Sequence, residues 1–464
     1  MNFTEKQIQE HIWKFRDDLH ELIDEFEKPL LYEFGVDEKS IEEVTAEKIL
    51  NNLIVNRIAD LHEDVRSVFL FGNEISLGND GETKIRADFL GKGEGRPGIY
   101  IFELKKDGQT ERQAFTELLA YANQLNYKFP SHCTDDTIFV LISPIKSKTI
   151  EDAYLQSLVF DRRKVSILQP YFTDETNIET LRLKPFFPSL EDILIFSNAA
   201  FKKRNFDVAV FVWSDDESHW NPKPEGQNEQ DMNRVASIAA QLMEAKNIHG
   251  FVYGQQTHPE LKEILPYTNK LVLVGLNPYK IASDNYYREN SPEAKINELP
   301  YIFDMDEHTN LTHILKGLAK HKDIHEEWNY FTNLANNWSS QLYYAAKEAV
   351  DFGTINRVGV RIHTEIAYAG NWEQYESSFI ENATTFNYEI KTTGILRQLY
   401  HETMRLDYLH WSKFNSHPFQ GDAFGWAIEN CESHYLFEIF LNRMFYGEAD
   451  EESYGGLEDS DETD

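Results

Sequence analysis

Three consecutive stretches decide how the amino-terminal part of this chain folds: Glu82-Thr-Lys-Ile-Arg-Ala-Asp88-Phe-Leu, then Gly91-Lys-Gly-Glu-Gly-Arg-Pro-Gly98, then Ile99-Tyr-Ile-Phe-Glu103-Leu-Lys105. The outer two alternate and are rich in β-branched and aromatic residues, and the middle one is glycine-rich with a proline. That pattern predicts a hairpin of two strands. Successive side chains on a strand point to opposite faces, so Glu103 and Lys105 share a face that Leu104 does not. Pairing of the strands brings Asp88 to the same end. Two carboxylates and a lysine then meet at the rim of an apolar sheet built from Ile99, Ile101, Phe102 and Leu104. Charges there need a partner, and a hard divalent cation with oxygen ligands is one. A surface hairpin whose Glu103 and Lys105 simply pair along one strand is the plainer reading.

The spacing Asp88-x14-Glu103-Leu-Lys105 resembles the signature of the PD-(D/E)XK nuclease superfamily, with Ala87 in place of the proline. The resemblance spans roughly residues 40–130. It implies a restriction-endonuclease-like α/β domain with a helix–strand–strand–helix–strand order. It also implies a Mg²⁺ cofactor, or Mn²⁺ in its place, held by Asp88, Glu103 and the backbone carbonyl of Leu104. Lys105 would orient or help deprotonate the attacking water. Such chemistry uses the metal to acidify water and to neutralise charge on the phosphate, with a nearby ammonium stabilising the transition state.

Both flanks bear on this. Helical periodicity over Ser40–Leu61 puts Leu50, Ile54, Ile58 and Leu61 on one face, together with Glu43 and Glu47. The superfamily places a glutamate on the helix before its sheet, which selects Glu47 and keeps Glu43 in reserve. The alternative is that both acids occupy an exposed first turn, where they complement the helix dipole. Downstream, a helix from Thr110 to about Tyr127 stacks Gln113, Glu117 and Tyr121 on one side. Some superfamily branches carry a Gln and a Tyr on this helix; here their spacing is Gln-x7-Tyr, not Gln-x3-Tyr. Gln113 is the residue expected to position Lys105 or phosphate. Thr137–Ile142 reads as the next buried strand.

A chain of 464 residues has room for about two to four domains. We expect an α/β multidomain protein: a nuclease-like domain over 1–190, a small Rossmann-like parallel α/β domain over 200–305, a mainly helical aromatic-rich region over 306–446, and a disordered acidic tail over 447–464. An amino-terminal helix from Thr4 to about Phe26 carries Ile8, Ile12, Phe15, Leu19, Ile23 and Phe26 on one stripe; it packs on the first domain or mediates a homo-oligomer. In the central domain, strands at 206–213, 250–254 and 270–275 alternate with helices at 231–245 and 259–264, which implies parallel winding. Ligands of such sheets lie at the strands' carboxyl ends, here after Trp213, Gly254 and Gly275. No Gly-x-Gly-x-x-Gly or phosphate-loop lysine accompanies them.

Two cysteines far apart, Cys133 and Cys431, exclude a disulfide scaffold and fit a reducing cytoplasm. The amino terminus lacks the basic and apolar regions of a signal peptide, and no apolar run is long enough to span a membrane. The formal charge of −33 opposes binding to nucleic acid, which rests on basic groups displacing counterions. Part of that charge is local: residues 447–464 hold nine acids and no Lys or Arg. Between Lys84 and Lys128, by contrast, bases outnumber acids. The leading expectation is therefore a Mg²⁺-dependent nuclease cleaving DNA, with RNA open as a substrate, in a restriction or antiphage defence setting. The rival is a noncatalytic sensor or interaction protein that keeps the fold.

Overall fold

The structure, a computed structural model, describes residues 3–29, 45–78, 85–94, 98–106, 111–129, 136–145, 147–161, 163–189, 205–213, 227–258, 261, 269–280, 324–354, 364–370 and 385–414. The protein is mixed α/β and divides into two units: Met1–Tyr32 with Asn51–Leu194, and Glu33–Leu50 with Ile195–Asp464. The expected tail, Glu43 and both cysteines lie outside the described residues.

The first unit is built on a six-stranded mixed sheet in the order β1 to β6. Its strands are β1 (Val68–Ser76), β2 (Arg86–Gly93), β3 (Ile99–Leu104), β4 (Thr137–Ile142), β5 (Lys164–Phe172) and β6 (Leu181–Pro185). The expected hairpin forms with Phe89 opposite Phe102 and Lys92 opposite Ile99. Gly98 opens β3 at a φ of 142°, in the left-handed region glycine tolerates. β3, β4 and β5 run parallel, joined by crossovers through α3 (Glu111–Lys128) and α4 (Lys148–Leu155). β1 was not anticipated. It pairs antiparallel with β2 through a bulge between Leu70 and Gly72, and it extends the sheet on the side away from β4. Burial alternates along β1 from Val68 to Asn73, with Phe71 exposed, but the sequence Val68-Phe-Leu-Phe71 is apolar throughout and so does not show the alternation by which a half-buried strand is recognised. Every residue of β4 is buried, as a strand covered on both faces requires.

The long amino-terminal helix is a correction. A capping box at Thr4 and Gln7 starts α1 (Glu5–Lys14), but the helix stops at Phe15. The chain then leaves helical geometry because both sheet edges bind it. The Leu70 amide donates to the Arg16 carbonyl, and Ile23 bridges Leu183. Ile8, Ile12, Leu19 and Ile23 are buried all the same, so the apolar stripe marked contact and not helix. α2 (Ala46–Arg66) follows, with Leu50, Ile54, Ile58 and Leu61 buried. It carries His62, whose Nε2 meets the Phe186 carbonyl at 3.0 Å and whose Nδ1 meets Ser166 Oγ at 2.9 Å.

In the second unit the Rossmann-like parallel sheet is not found. β7 (Phe206–Trp213), β8 (Gly250–Thr257) and β9 (Asn269–Leu276) are joined with β9 in the middle, antiparallel to both neighbours. β7, α5 (Gln227–Ala245) and β8 still make a crossover, but the chain returns between its two strands. Gly275 therefore sits at the opposite sheet end from Trp213, and the three strand termini form no common crevice. Most of the expected helix at 259–264 lies outside the described residues. β10 (Thr364–Gly370), β11 (Thr385–Asn387) and β12 (Lys391–Thr393) complete the antiparallel sheet. Residues expected in a separate helical domain thus supply strands to this sheet. α6 (Ile324–Thr354) also packs Leu342, Ala345, Ala346 and Ala349 into its core beside Ala236 and Ala239 of α5. Small residues let the two helices approach; a Cβ on Gly353 would lie 2.4 Å from Val235. α7 (Gly394–Phe414) follows β12. Among the aromatics of the carboxyl-terminal region, Trp338 and Tyr343 pack on this core, while Tyr344, Tyr408 and Trp411 are exposed. No helix among the described residues is long and apolar enough to cross a membrane.

Candidate functional site

The ladder between β2 and β3 ends at Phe89 and Phe102, one residue short of Asp88 and Glu103. Past that pair the strands part, and the Leu104 amide on this side of β3 turns to the Asp88 side chain. It donates to Asp88 Oδ2 at 2.7 Å. The next amide, that of Lys105, faces the other way and donates to the Ile142 carbonyl of β4. Asp88 is thereby fixed to the backbone between the two residues that carry the remaining chemistry.

Glu103 is 4% exposed, and both its oxygens are engaged. Lys105 Nζ donates to Oε1 at 2.5 Å, and the Tyr121 hydroxyl donates to Oε2 at 2.9 Å. The same ammonium lies 2.7 Å from Glu117 Oε2. Glu117 and Tyr121 are four residues apart on α3, hence on one face of it. The cluster therefore holds three carboxylates and one ammonium, with Tyr121 buried behind it and the Glu117 side chain 39% exposed at its mouth.

Burial is the largest influence on every member's protonation, and the neighbouring charges add to it or oppose it. Burial pushes the Asp88 carboxyl up to about 6, against the restraining Leu104 hydrogen bond. Burial and then the neighbouring Asp88 charge push Glu103 up to about 8, despite Lys105. Burial works to lower Lys105, but its bonds to Glu103 and Glu117 prevail and raise it. Burial works to raise Glu117, and Lys105 outweighs it, so this carboxyl is lowered. Burial and the adjoining Glu103 raise Tyr121. Glu103 thus retains at neutral pH a proton that an ordinary carboxyl releases, first because it is buried and then because Asp88 lies beside it.

Of the residues singled out in the sequence, Asp88, Glu103, Leu104 and Lys105 are brought together. Gln113 lies on α3 and Glu47 on α2, but their side chains are outside the described residues, as is all of Glu43. Two contacts were missed. Glu117 and Tyr121 were legible as partners of Gln113 on one helix face, yet nothing in the periodicity shows which member reaches the strand. Gln9 of α1 is buried and donates from Nε2 to Asn73 Oδ1 at 3.1 Å and to the Asp88 carbonyl at 3.5 Å. A polar residue on the buried side of an otherwise apolar stripe was the available signal.

Among the described residues no three His, Cys, Asp or Glu side chains gather closely enough to hold a metal ion by themselves. The donor set here is narrower: the buried carboxylate of Glu103 and the half-buried one of Asp88, both just past the end of the β2–β3 ladder, with a backbone carbonyl between Glu103 and Lys105. Such hard oxygen donors, with one ammonium among three carboxylates, fit a magnesium-class cation. Comparison with protein-family models, with curated proteins and with solved structures finds no match to this chain.

Proposed function

We propose that the first unit is a restriction-endonuclease-like domain that hydrolyses phosphodiester bonds of DNA with Mg²⁺ as cofactor. One observation carries the reading: the carboxylates of Asp88 and Glu103 end on adjacent strands with the Lys105 ammonium 2.5 Å from Glu103. The order α2–β1–β2–β3–α3–β4 supports it, since β1 lies outside β2 and leaves the helix–strand–strand–helix–strand core intact. Asp88, Glu103 and the Leu104 carbonyl would hold the ion. The chemistry supplied by bound Mg²⁺ is acidification of water and neutralisation of phosphate charge. Asp88 is oriented for its part by the Leu104 amide, and Glu103 by Tyr121. Lys105 orients the attacking water, assists its deprotonation, and screens charge gathering on the phosphate. The second unit, with its separate sheet and core, would select or sense the target in a restriction or antiphage setting, an assignment that rests on analogy.

The test is incubation of the protein with plasmid, linear duplex, single-stranded DNA and RNA, each with Mg²⁺, Mn²⁺ or EDTA. Metal-dependent cleavage of a DNA substrate that disappears in Lys105→Ala is the expected result. Cleavage of RNA alone would move the substrate class. A wild-type protein that cuts nothing and takes up no Mn²⁺ in calorimetry would leave the noncatalytic sensor as the better account.

A further inference from the structure

We propose that Glu117 is the second anchor of the Lys105 ammonium, holding it in the site when Glu103 gives up its bond to take a cation. The inference rests on the nuclease reading of Asp88, Glu103 and Lys105. In the structure one ammonium serves two carboxylates, at 2.5 Å from Glu103 and 2.7 Å from Glu117. Both oxygens of Glu103 are taken, by Lys105 and by Tyr121. Any cation on Glu103 therefore competes with Lys105 for Oε1. A lysine has a flexible four-carbon stem, and an ammonium released from its only partner would leave the site. Glu117 removes that consequence, because the ammonium is already ion-paired with it at 2.7 Å.

The spacing of the two elements explains how one helix does this. On a strand, residues two apart are separated by about 6.6 Å, at ~3.3 Å per residue. On a helix, residues four apart rise about 6 Å, at 1.5 Å per residue. Glu103-x-Lys105 on β3 and Glu117-x3-Tyr121 on α3 are therefore nearly commensurate. Tyr121 reaches the acid while Glu117 reaches the base. Exposure agrees with this order. The Lys105 side chain is 12% exposed and that of Glu117 39%, so the glutamate closes the ammonium off from solvent. Glu117 is thus a positioning residue, acting through Lys105 and not on the reacting atoms.

Two readouts test this on the full-length protein. The first is the rate at which Lys105 is acetylated by acetic anhydride, followed by peptide mass spectrometry with Lys280 as internal control. Glu117→Gln should speed labelling of Lys105 roughly tenfold, the effect of one lost close counter-charge, and Glu117→Asp should restore part of the protection. The second is Mn²⁺ affinity by calorimetry. Glu117→Gln should weaken it roughly tenfold with Lys105 present and leave it nearly unchanged in Lys105→Ala, where there is no ammonium left to anchor. Unaltered labelling in Glu117→Gln overturns the proposal whatever the metal does. An equal loss of Mn²⁺ affinity in both backgrounds also overturns it, because Glu117 would then act on the ion directly. If the wild type binds no Mn²⁺, the nuclease reading fails, and the labelling rates alone decide whether Glu117 anchors Lys105.

Discussion

Each unit of this protein buries an acid against a lysine, and the two pairs are built differently. In the second unit Asp207 on β7 accepts from Lys280 at 2.6 Å, from Asn277 Nδ2 at 2.5 Å and from Ser339 on α6. Asn277 and Ser339 each also bond the Ala335 carbonyl. One negative charge meets one positive charge and two neutral donors, and the network ties α6 to the sheet. In the first unit one ammonium serves Glu103 and Glu117 while, among the described residues, the Asp88 carboxylate accepts from a backbone amide alone. Burial and partnership alone do not mark a functional site, since both clusters have them. Imbalance does: a satisfied network specifies a fold, whereas an underneutralised one has capacity left for a ligand.

The contrast can be broken most directly by removing each lysine in turn. Lys105→Ala should lower metal-dependent DNA cleavage by about 10² to 10⁴, while Lys280→Ala leaves it unchanged; equal losses in a plasmid-nicking assay would erase the distinction. A buried group with no imbalance sharpens the point. His62 is held down to about 4 by burial, against its bond to the Phe186 carbonyl. The unfolded chain takes up a proton near pH 6.5 that the folded chain refuses. Stability is therefore complete above that pH and declines as pH falls toward 4, by about 3 kcal/mol at one pKa unit per 1.36 kcal/mol. Urea midpoints from pH 7.5 to 4.5 should show this slope, and His62→Gln should flatten it.

In stability the order reverses between the clusters. Lys280→Ala should cost about 2 kcal/mol by urea denaturation, because Asp207 keeps its burial and loses its counter-charge. Glu103→Gln should instead stabilise the apoprotein, by about 1 kcal/mol near pH 8. Folded Glu103 titrates near 8, well above an unfolded carboxyl. Its burden on the fold is absent below about pH 4.5 and grows as pH rises toward 8. A variant that loses stability with rising pH as steeply as the wild type would assign the slope to Asp88 or to groups elsewhere.

How much of this was legible in the sequence depended on range. β2 and β3 lie next to each other in the chain and alternate visibly, so the hairpin and the placement of Asp88, Glu103 and Lys105 follow from local pattern. β4 followed from a continuous apolar run. β7 and β8 gave equally continuous runs, because nearly all of their residues are buried. A run of that kind fixes burial but not direction, and β9 entering between them is decided by partners far away in sequence. β11 and β12 are three residues each, too short for any period to register. The stripe from Ile8 to Phe26 misled for a related reason: helical spacing placed the apolar residues correctly while hydrogen bonds to Leu70 and Leu183 set the backbone. In the site, the charged residues were legible because they interrupt an apolar strand. Glu117 was less so, since an acid on a partly exposed helix face is ordinary until the strand beneath it is known.

The course of residues 16 to 24 has a bearing on how the first unit is made. Arg16 holds the β1 side of the sheet through Leu70, and Leu22 and Asp24 exchange backbone bonds with Leu183 of β6. Residues 16 to 24 thus find their partners at both margins of the sheet, one of them on the sixth and last strand of the unit in chain order. Closure of the unit must wait for β6, and contacts of such long separation are slow to form. Until then both margins present unpaired strand edges, the surfaces through which nascent chains join one another.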